Sequence, residues 1–435
     1  MESPSRSRST SIYRISHSSC FSLLTFFLIL LLSGILPVSV VSLGINYGQI
    51  ANNLPPPERV VPLVKSIGVT KLKLYDADPK VLKAFAKTGI EFTVTVGNDL
   101  LPQLANDPKQ ALDWVKKNVQ CYLPDTKVTC ILLGNEVLTF NDTSLTNSLL
   151  PAMQNVHSAL QTLNLDTNVW VTTTHNLAIL EKSYPPSAGS FRQDLCGCLT
   201  QILNFHAKTG SPFLINAYPY FAYKASPQEV NLDYVLFEAK TNNVLVDPGS
   251  NLHYDNMLYA QVDAVYAAMG PTFSKRVQVQ VSETGWPSKG DEDEYGANPE
   301  NAKKYNGNLI KLVSDSSKKG TPMKPNCDLN VFVFALFNEN MKPGPTSERN
   351  YGLFKPDGTP AYALGFPTIQ AVGNGSSYGT GEPASDATEN RGGDGGVYDD
   401  TSSSGYLSIS LSTERYPSAS LTIMSLVILI IIMQF

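Results

Sequence analysis

The sequence predicts a single-domain (β/α)₈ barrel over 43–370, and three observations carry the prediction. Eight apolar or β-branched runs succeed one another between Leu43 and Phe337. Helical patterns with start and stop signals lie between them, so each connection is a crossover and the runs must pair in parallel. The downstream ends of the runs carry acidic, amide and aromatic residues, and a closed barrel gathers its chemistry at that end. An open doubly wound sheet is the alternative. It calls for a third glycine in the turn after the first strand, which Gly44-Ile45-Asn46-Tyr47-Gly48 lacks.

The predicted strands are 43–47, 71–75, 91–96, 129–133, 168–174, 213–218, 277–281 and 330–337. Asp78-Pro79 opens a helix over 80–87 that Gly89 stops, and Asp107-Pro108 opens one over 109–119. Asn298-Pro299 opens another over 300–319, ended by Gly320. In each case a side-chain acceptor caps the first turn, and proline occupies a position that needs no donor. Further helices fit 144–163, 191–208 and 254–269.

A hydrophobic content of 42% is enough for a large core. The net charge of −5, with basic residues clustered only in pairs such as Lys318-Lys319, argues against a nucleic-acid partner. The ends read as processing signals. Arg6, Arg8 and Arg14 precede an apolar run over 21–36, and Val40-Val41-Ser42 supplies small residues for cleavage. Residues 1–42 are thus a predicted signal peptide, an uncleaved anchor being the alternative. The apolar tail 421–435 is shorter than the ~20 residues that span a bilayer. With the polar spacer and small residues before it, 406–435 reads as a glycosylphosphatidylinositol (GPI) signal removed on maturation, a plain tail anchor being the alternative. Ser403 is the expected attachment residue, although 408–412 fits the spacer length better. Between domain and anchor, 371–405 is rich in Gly, Ser, Asp and Thr and reads as a disordered stalk.

Export permits disulfides, but after loss of Cys20 an odd five cysteines remain: Cys121, Cys130, Cys196, Cys198 and Cys327. Cys196-Gly197-Cys198 has no histidine partners for a metal, and buried free thiols are expected for most of the five. Asn141 and Asn374 begin glycosylation acceptor triplets. Gly375-Ser376-Ser377-Tyr378-Gly379 matches a serine-hydrolase elbow by its letters, without the strand and helix such an elbow needs.

The predicted barrel rim presents Tyr47, Tyr75-Asp76, Gly97-Asn98, Asn135-Glu136, Thr174-His175, Tyr218, Glu283 and Asn338-Glu339. No cationic cluster stands there to clamp a phosphate, so a neutral, hydroxyl-rich ligand such as a sugar is expected. Glu136 and Glu283 end the fourth and seventh runs, which face each other across a barrel mouth. Glycosidic cleavage needs one carboxyl to protonate the leaving oxygen and another to meet the anomeric carbon, ~5 Å apart in retaining enzymes. The charge of Glu283 is then expected to raise the pKa of Glu136. Taken singly, either glutamate could instead be a structural rim residue. Strict alternation from an inward Glu283 also sends Gln278 and Gln280 toward the helices, where apolar side chains are the rule.

SETGWPS around Glu283, LLGNEVL around Glu136 and FNENMKPGPTSERNYGLF from Phe337 resemble glycoside hydrolase family 17, the plant endo-β-1,3-glucanases. GINYGQIANNLP, KLYDAD, YPPSAGSFR and NAYPYF are similar to the same family, in the same order, over about 43–366. The resemblance implies a (β/α)₈ retaining hydrolase of β-1,3-glucan such as callose, working without metal or other cofactor, expected as a monomer. Its proton donor matches Glu136 and its nucleophile matches Glu283. An acidic and basic cluster matches Glu339, Lys342 and Glu348, with Lys342 either keeping carboxylates ionised or forming a structural ion pair. Tyr218 is expected to hydrogen-bond the nucleophile and Asn135 the sugar 2-hydroxyl. Tyr75, Phe221, Trp286 and Phe337 are candidate sugar platforms. Gln280 departs from the small or apolar residue usual in the family. No cysteine-rich wall-binding module follows the barrel, so the cleft is expected to supply the grip. A glucan-binding protein without catalysis, and a transglucosylase on the same site, are the competing readings.

Overall fold

The computed structural model describes residues 43–140, 142–240, 244–315 and 320–364. The expected signal peptide, stalk and GPI signal, the expected attachment residue Ser403, and the expected glycosylation acceptors Asn141 and Asn374 lie outside the described residues.

Eight strands form the barrel: β1 Leu43–Asn46, β2 Lys71–Lys73, β3 Glu91–Val96, β4 Lys127–Asn135, β5 Trp170–Asn176, β6 Phe213–Asn216, β7 Val279–Thr284 and β8 Val331–Val333. Each pairs in parallel with its sequence neighbours, and β1 closes the ring on β8. Antiparallel hairpins are inserted after β5 (Leu180–Lys182 with Ser190–Phe191) and after β6 (Leu245–Val246 with His253–Tyr254).

Helices begin where the caps predict. Asp78 accepts from Lys80 N, Asp107 from Lys109 N and Asn298 from Asn301 N, opening Pro79–Ala84, Pro108–Asn118 and Pro299–Ser314. A helix over Pro57–Ser66 joins β1 to β2. Prolines 55–57 disguise it as a loop, yet the helix starts at Pro57, where the missing N–H costs nothing, and Val60, Leu63 and Val64 give it a buried face. The expected helix over 191–208 is Cys196–Thr209, because Phe191 belongs to a hairpin. That over 254–269 is Met257–Ser274, its path broken at Gly270.

The main core lies between sheet and helices and contains Val277, Val279, Val281, Ile131, Leu133, Phe213 and Ile215. A separate cluster, Cys130, Leu132 and Leu214, fills the barrel interior. Gln280 pairs with Leu214 and Leu132 with Thr172, and register partners share a face, so Gln280 points inward. The expectation that Gln280 faces the helices is therefore corrected; Gln278, just before β7, donates its Nε2 to Asp328 O at 2.6 Å. A register shift between Val281 and Glu283 breaks the alternation. Upstream of it the valines face the helices; at it Ser282 and Glu283 both reach toward the interior, where Lys73 Nζ meets both. Thr284 then points outward to Tyr305 Oη.

All five cysteines after residue 42 are free, but only Cys130 is fully buried; Cys121 and Cys196 are exposed.

Candidate active site

Backbone irregularities aim the two glutamates. β4 slips register between Leu132 and Asn135, and Gly134 there has φ +65°. A Cβ on Gly134 would lie 2.5 Å from Val137 and 2.7 Å from Asn98 Oδ1, so the bend requires glycine. Glu136 follows with φ 57°, its N–H donating to Thr174 O at 2.8 Å. After Glu283, Gly285 passes so close to the segment following β8 that a Cβ would collide with Phe334 O.

Glu283 is buried and accepts three donors. Lys73 Nζ and Tyr75 Oη each donate to Oε1 at 2.7 Å, and Tyr218 Oη donates to Oε2 at 3.0 Å. Lys73 is itself buried and also donates to Ser282 Oγ at 2.8 Å. Burial opposes ionisation of Glu283. The Lys73 ammonium, hydrogen bonds from Lys73 and Tyr75, and the charge of Lys342 outweigh it and lower the pKa.

Glu136 is surrounded differently. Asn216 Nδ2 donates to Oε1 at 2.7 Å and Asn176 Nδ2 to Oε2 at 3.1 Å. Burial, then the Glu283 charge, raise its pKa; the two amides and Lys73 only partly oppose them. Asn216 is also the register partner of Glu283, so one residue of β6 sits beside both carboxyls. Two carboxyl groups at one barrel mouth are thus driven in opposite directions, one toward the acid and one toward the anion.

The remaining predicted residues divide. Tyr75 Oη donates to Glu283 and lies 3.2 Å from Asn46 Oδ1, so its hydroxyl belongs to the carboxylate cage. Asn135 is pinned through its backbone by Asn98, while its own Oδ1 has no partner among the described residues. Glu339 is buried, accepts from Ile50 N at 2.7 Å, and has its pKa raised by burial. Lys342 pairs with Glu348 at 3.2 Å and lies 4.2 Å over the Phe334 ring. Trp286 and Phe337 are not platforms. Trp286 is wholly buried, its indole N–H on Gly296 O, and Phe337 packs edge-on against Tyr47. Phe221 is exposed and packs on Tyr218 with centroids 5.2 Å apart. His175 is no rim residue: it is buried and stacks on Phe213.

Lys73, Asn176 and Asn216 touch the glutamates without having been singled out from the sequence. A signal existed for Lys73, which shares a strand face with Tyr75 two residues on. A lysine on an inward strand position needs a buried anion. It is a cation the rim reading overlooked, and its ammonium is engaged by Glu283.

A closed parallel barrel whose mouth holds two carboxyls in contrasting surroundings, one held by a lysine and two tyrosines and the other by two amides, has the layout of a glycoside hydrolase. The chain belongs to the glycosyl hydrolases family 17, whose model matches residues 43–366. It is 61% identical over 346 residues to glucan endo-1,3-beta-glucosidase 11 of Arabidopsis thaliana, covering 80% of each chain. It is 60% identical over 365 residues to glucan endo-1,3-beta-glucosidase 10 of the same plant, covering 83% of this chain and 84% of the relative. Among solved structures, CJP38, a beta-1,3-glucanase and allergen of Cryptomeria japonica pollen, matches with TM-score 0.70 and 38% identity, over 75% of this chain and 99% of that one.

Proposed function

We propose that the protein is a retaining endo-hydrolase of 1,3-β-D-glucosidic linkages in β-1,3-glucan, with Glu136 as proton donor and Glu283 as nucleophile. The observation that carries this reading is the pair of carboxyls brought to one barrel mouth, Glu283 held by Lys73, Tyr75 and Tyr218 and Glu136 by Asn216 and Asn176. The Glu283 anion, held by Lys73, Tyr75 and Tyr218, attacks the anomeric carbon while Glu136 protonates the departing oxygen. The glycosyl-enzyme ester is then opened by water that Glu136 deprotonates. Asn135, whose amide oxygen has no partner among the described residues, meets the 2-hydroxyl; Glu339, Lys342 and Glu348 lie beside the catalytic pair. Phe221 offers a face for a sugar ring. The three donors on Glu283 and two on Glu136 hold a pair of carboxyls in different surroundings, which suits catalysis better than passive binding, where no such pair is needed.

With β-1,3-glucan as substrate, kcat/KM against pH is expected to be bell-shaped. The acid limb follows ionisation of Glu283, below the ordinary carboxylate range; the alkaline limb follows loss of the Glu136 proton, above it. Reducing-end release measured across pH should show both limbs in the wild type and no alkaline limb in the residual activity of Glu136→Gln. An alkaline limb unchanged in that variant would remove Glu136 from the role.

The protein acts as a monomer at the outer face of the plasma membrane and in the cell wall, carried there by the N-terminal signal and held by a GPI anchor at Ser403 on the 371–405 stalk. Asn141 and Asn374 are the expected acceptors for glycans. A phospholipase that cleaves inositol anchors is expected to move the protein from membranes to the supernatant; retention on the membrane contradicts the anchor.

A further inference from the structure

The loops after β6, β7 and β8 meet on a single buried carboxylate that touches neither Glu136 nor Glu283. Glu294 lies in the loop after β7, and its side chain is fully shielded from solvent. Lys224 Nζ, from the helix Pro219–Ala225 after β6, donates to its Oε1 at 2.7 Å. Ser347, from the loop after β8, donates twice: Oγ to Oε1 at 2.5 Å and N–H to Oε2 at 2.8 Å. Asp291 N closes the shell on Oε2 at 3.1 Å. Asp291 in turn accepts from Thr346 N at 2.9 Å, and Ser288 N donates to Asn350 O at 2.8 Å.

What these loops carry gives the arrangement its meaning. Helix Pro219–Ala225 is preceded by Tyr218, which donates to Glu283, and contains the exposed Phe221. Ser347 is followed by Glu348, which holds Lys342 at 3.2 Å. Tyr351, four residues on, packs against Tyr218 and Phe334. Burial works against a charge on Glu294, yet its donors from Lys224, Ser347 and Asp291 lower its pKa.

We propose that Glu294 is a positioning residue for substrate: by tying three loops to one carboxylate it sets the distance between the Phe221 and the Glu348–Lys342 sides of the cleft. It acts through those residues and not on the reacting atoms, so its removal is felt in binding before chemistry. The inference rests on the reading of the cleft as a β-1,3-glucan site.

Glu294→Gln is the sharpest variant. It keeps the volume but turns one oxygen into an N–H donor, which faces either the Lys224 ammonium or backbone N–H groups of Ser347 and Asp291 in both amide orientations. Ser347→Ala is a milder companion that removes one donor and leaves the fold intact. Steady-state kinetics on laminarin, with circular dichroism and thermal melting alongside, test the proposal. In the folded Glu294→Gln enzyme KM is expected to rise about tenfold with kcat within about twofold, the size set by hydrogen bonds to a charged group. Ser347→Ala is expected to raise KM less, and to add nothing in the Glu294→Gln background. A KM unchanged in both variants, a fall in kcat alone, or strictly additive effects overturns it. A wild type that cleaves no β-1,3-glucan removes the underlying reading, and this one with it.

Discussion

Glu283→Ala is expected to lower kcat/KM on β-1,3-glucan by about 10⁴-fold or more, the scale of losing a nucleophile whose work no neighbour can take over. The fold is expected to survive, because Glu283 sits at the barrel mouth and the valines upstream carry the packing. The substitution leaves Lys73, Tyr75 and Tyr218 as donors around an empty space. A small anion such as azide fits those donors and attacks the anomeric carbon from the vacated face. Azide is therefore expected to restore turnover and to give a glycosyl azide of inverted configuration. In Glu136→Ala the same ion enters after the ester has formed and gives the retained product. Rescue with the two configurations exchanged would reverse the roles of the two glutamates.

Lys73→Met has the second largest expected effect, and it separates charge from packing. Lys73 has about the length of methionine and is almost wholly buried, at 1% exposure of its side chain against 9% for Glu283. Removing one partner of a buried pair leaves the other uncompensated, a loss of about 3–5 kcal/mol in stability. The sign with pH follows from Glu283. Its folded pKa is lowered, so its contribution is present above the unfolded carboxylate pKa and disappears as pH falls through the folded value. The stability deficit of Lys73→Met is therefore expected at neutral pH and to shrink in acid. In the same variant burial acts on Glu283 without its main counterweight, so the acid limb of kcat/KM should move to higher pH. Urea unfolding at several pH values and the pH–rate profile measure the two effects. An acid limb in the wild-type position would show that Lys73 does not hold the nucleophile ionised.

The barrel was legible because its signals are redundant. Asp78, Asp107 and Asn298 each cap a helix that also has proline in the first turn, and parallel strands buried on both faces read as apolar runs. Glu136 and Glu283 stood out because a carboxyl at a strand end has few structural uses in pairs. What stayed hidden depends on departures from regularity. The register shift at Ser282 and Glu283 reverses which side chains of β7 face inward, and nothing in VQVQVSET announces an extra residue. Strict alternation therefore put Gln280 on the wrong side. Trp286 and Phe337 sit in recognisable motifs, but an aromatic's motif says nothing of which way its ring turns, and both rings are buried. Asn176 and Asn216 reach Glu136 only because three strand ends converge, a fact of closure that no local pattern contains. The clamp on Glu294 is of the same kind, drawn from loops whose residues look like solvated surface.

The most direct test of the carboxylate pair is to trap its intermediate. A 2-deoxy-2-fluoro-glucosyl donor with a good leaving group slows opening of the ester more than its formation, so the adduct accumulates and can be located by peptide mass spectrometry. The expected result is one glycosyl group per chain, on the peptide containing Glu283 and lost in Glu283→Gln. A label on Glu136 or another carboxylate, or product of inverted configuration without any adduct, would contradict the account.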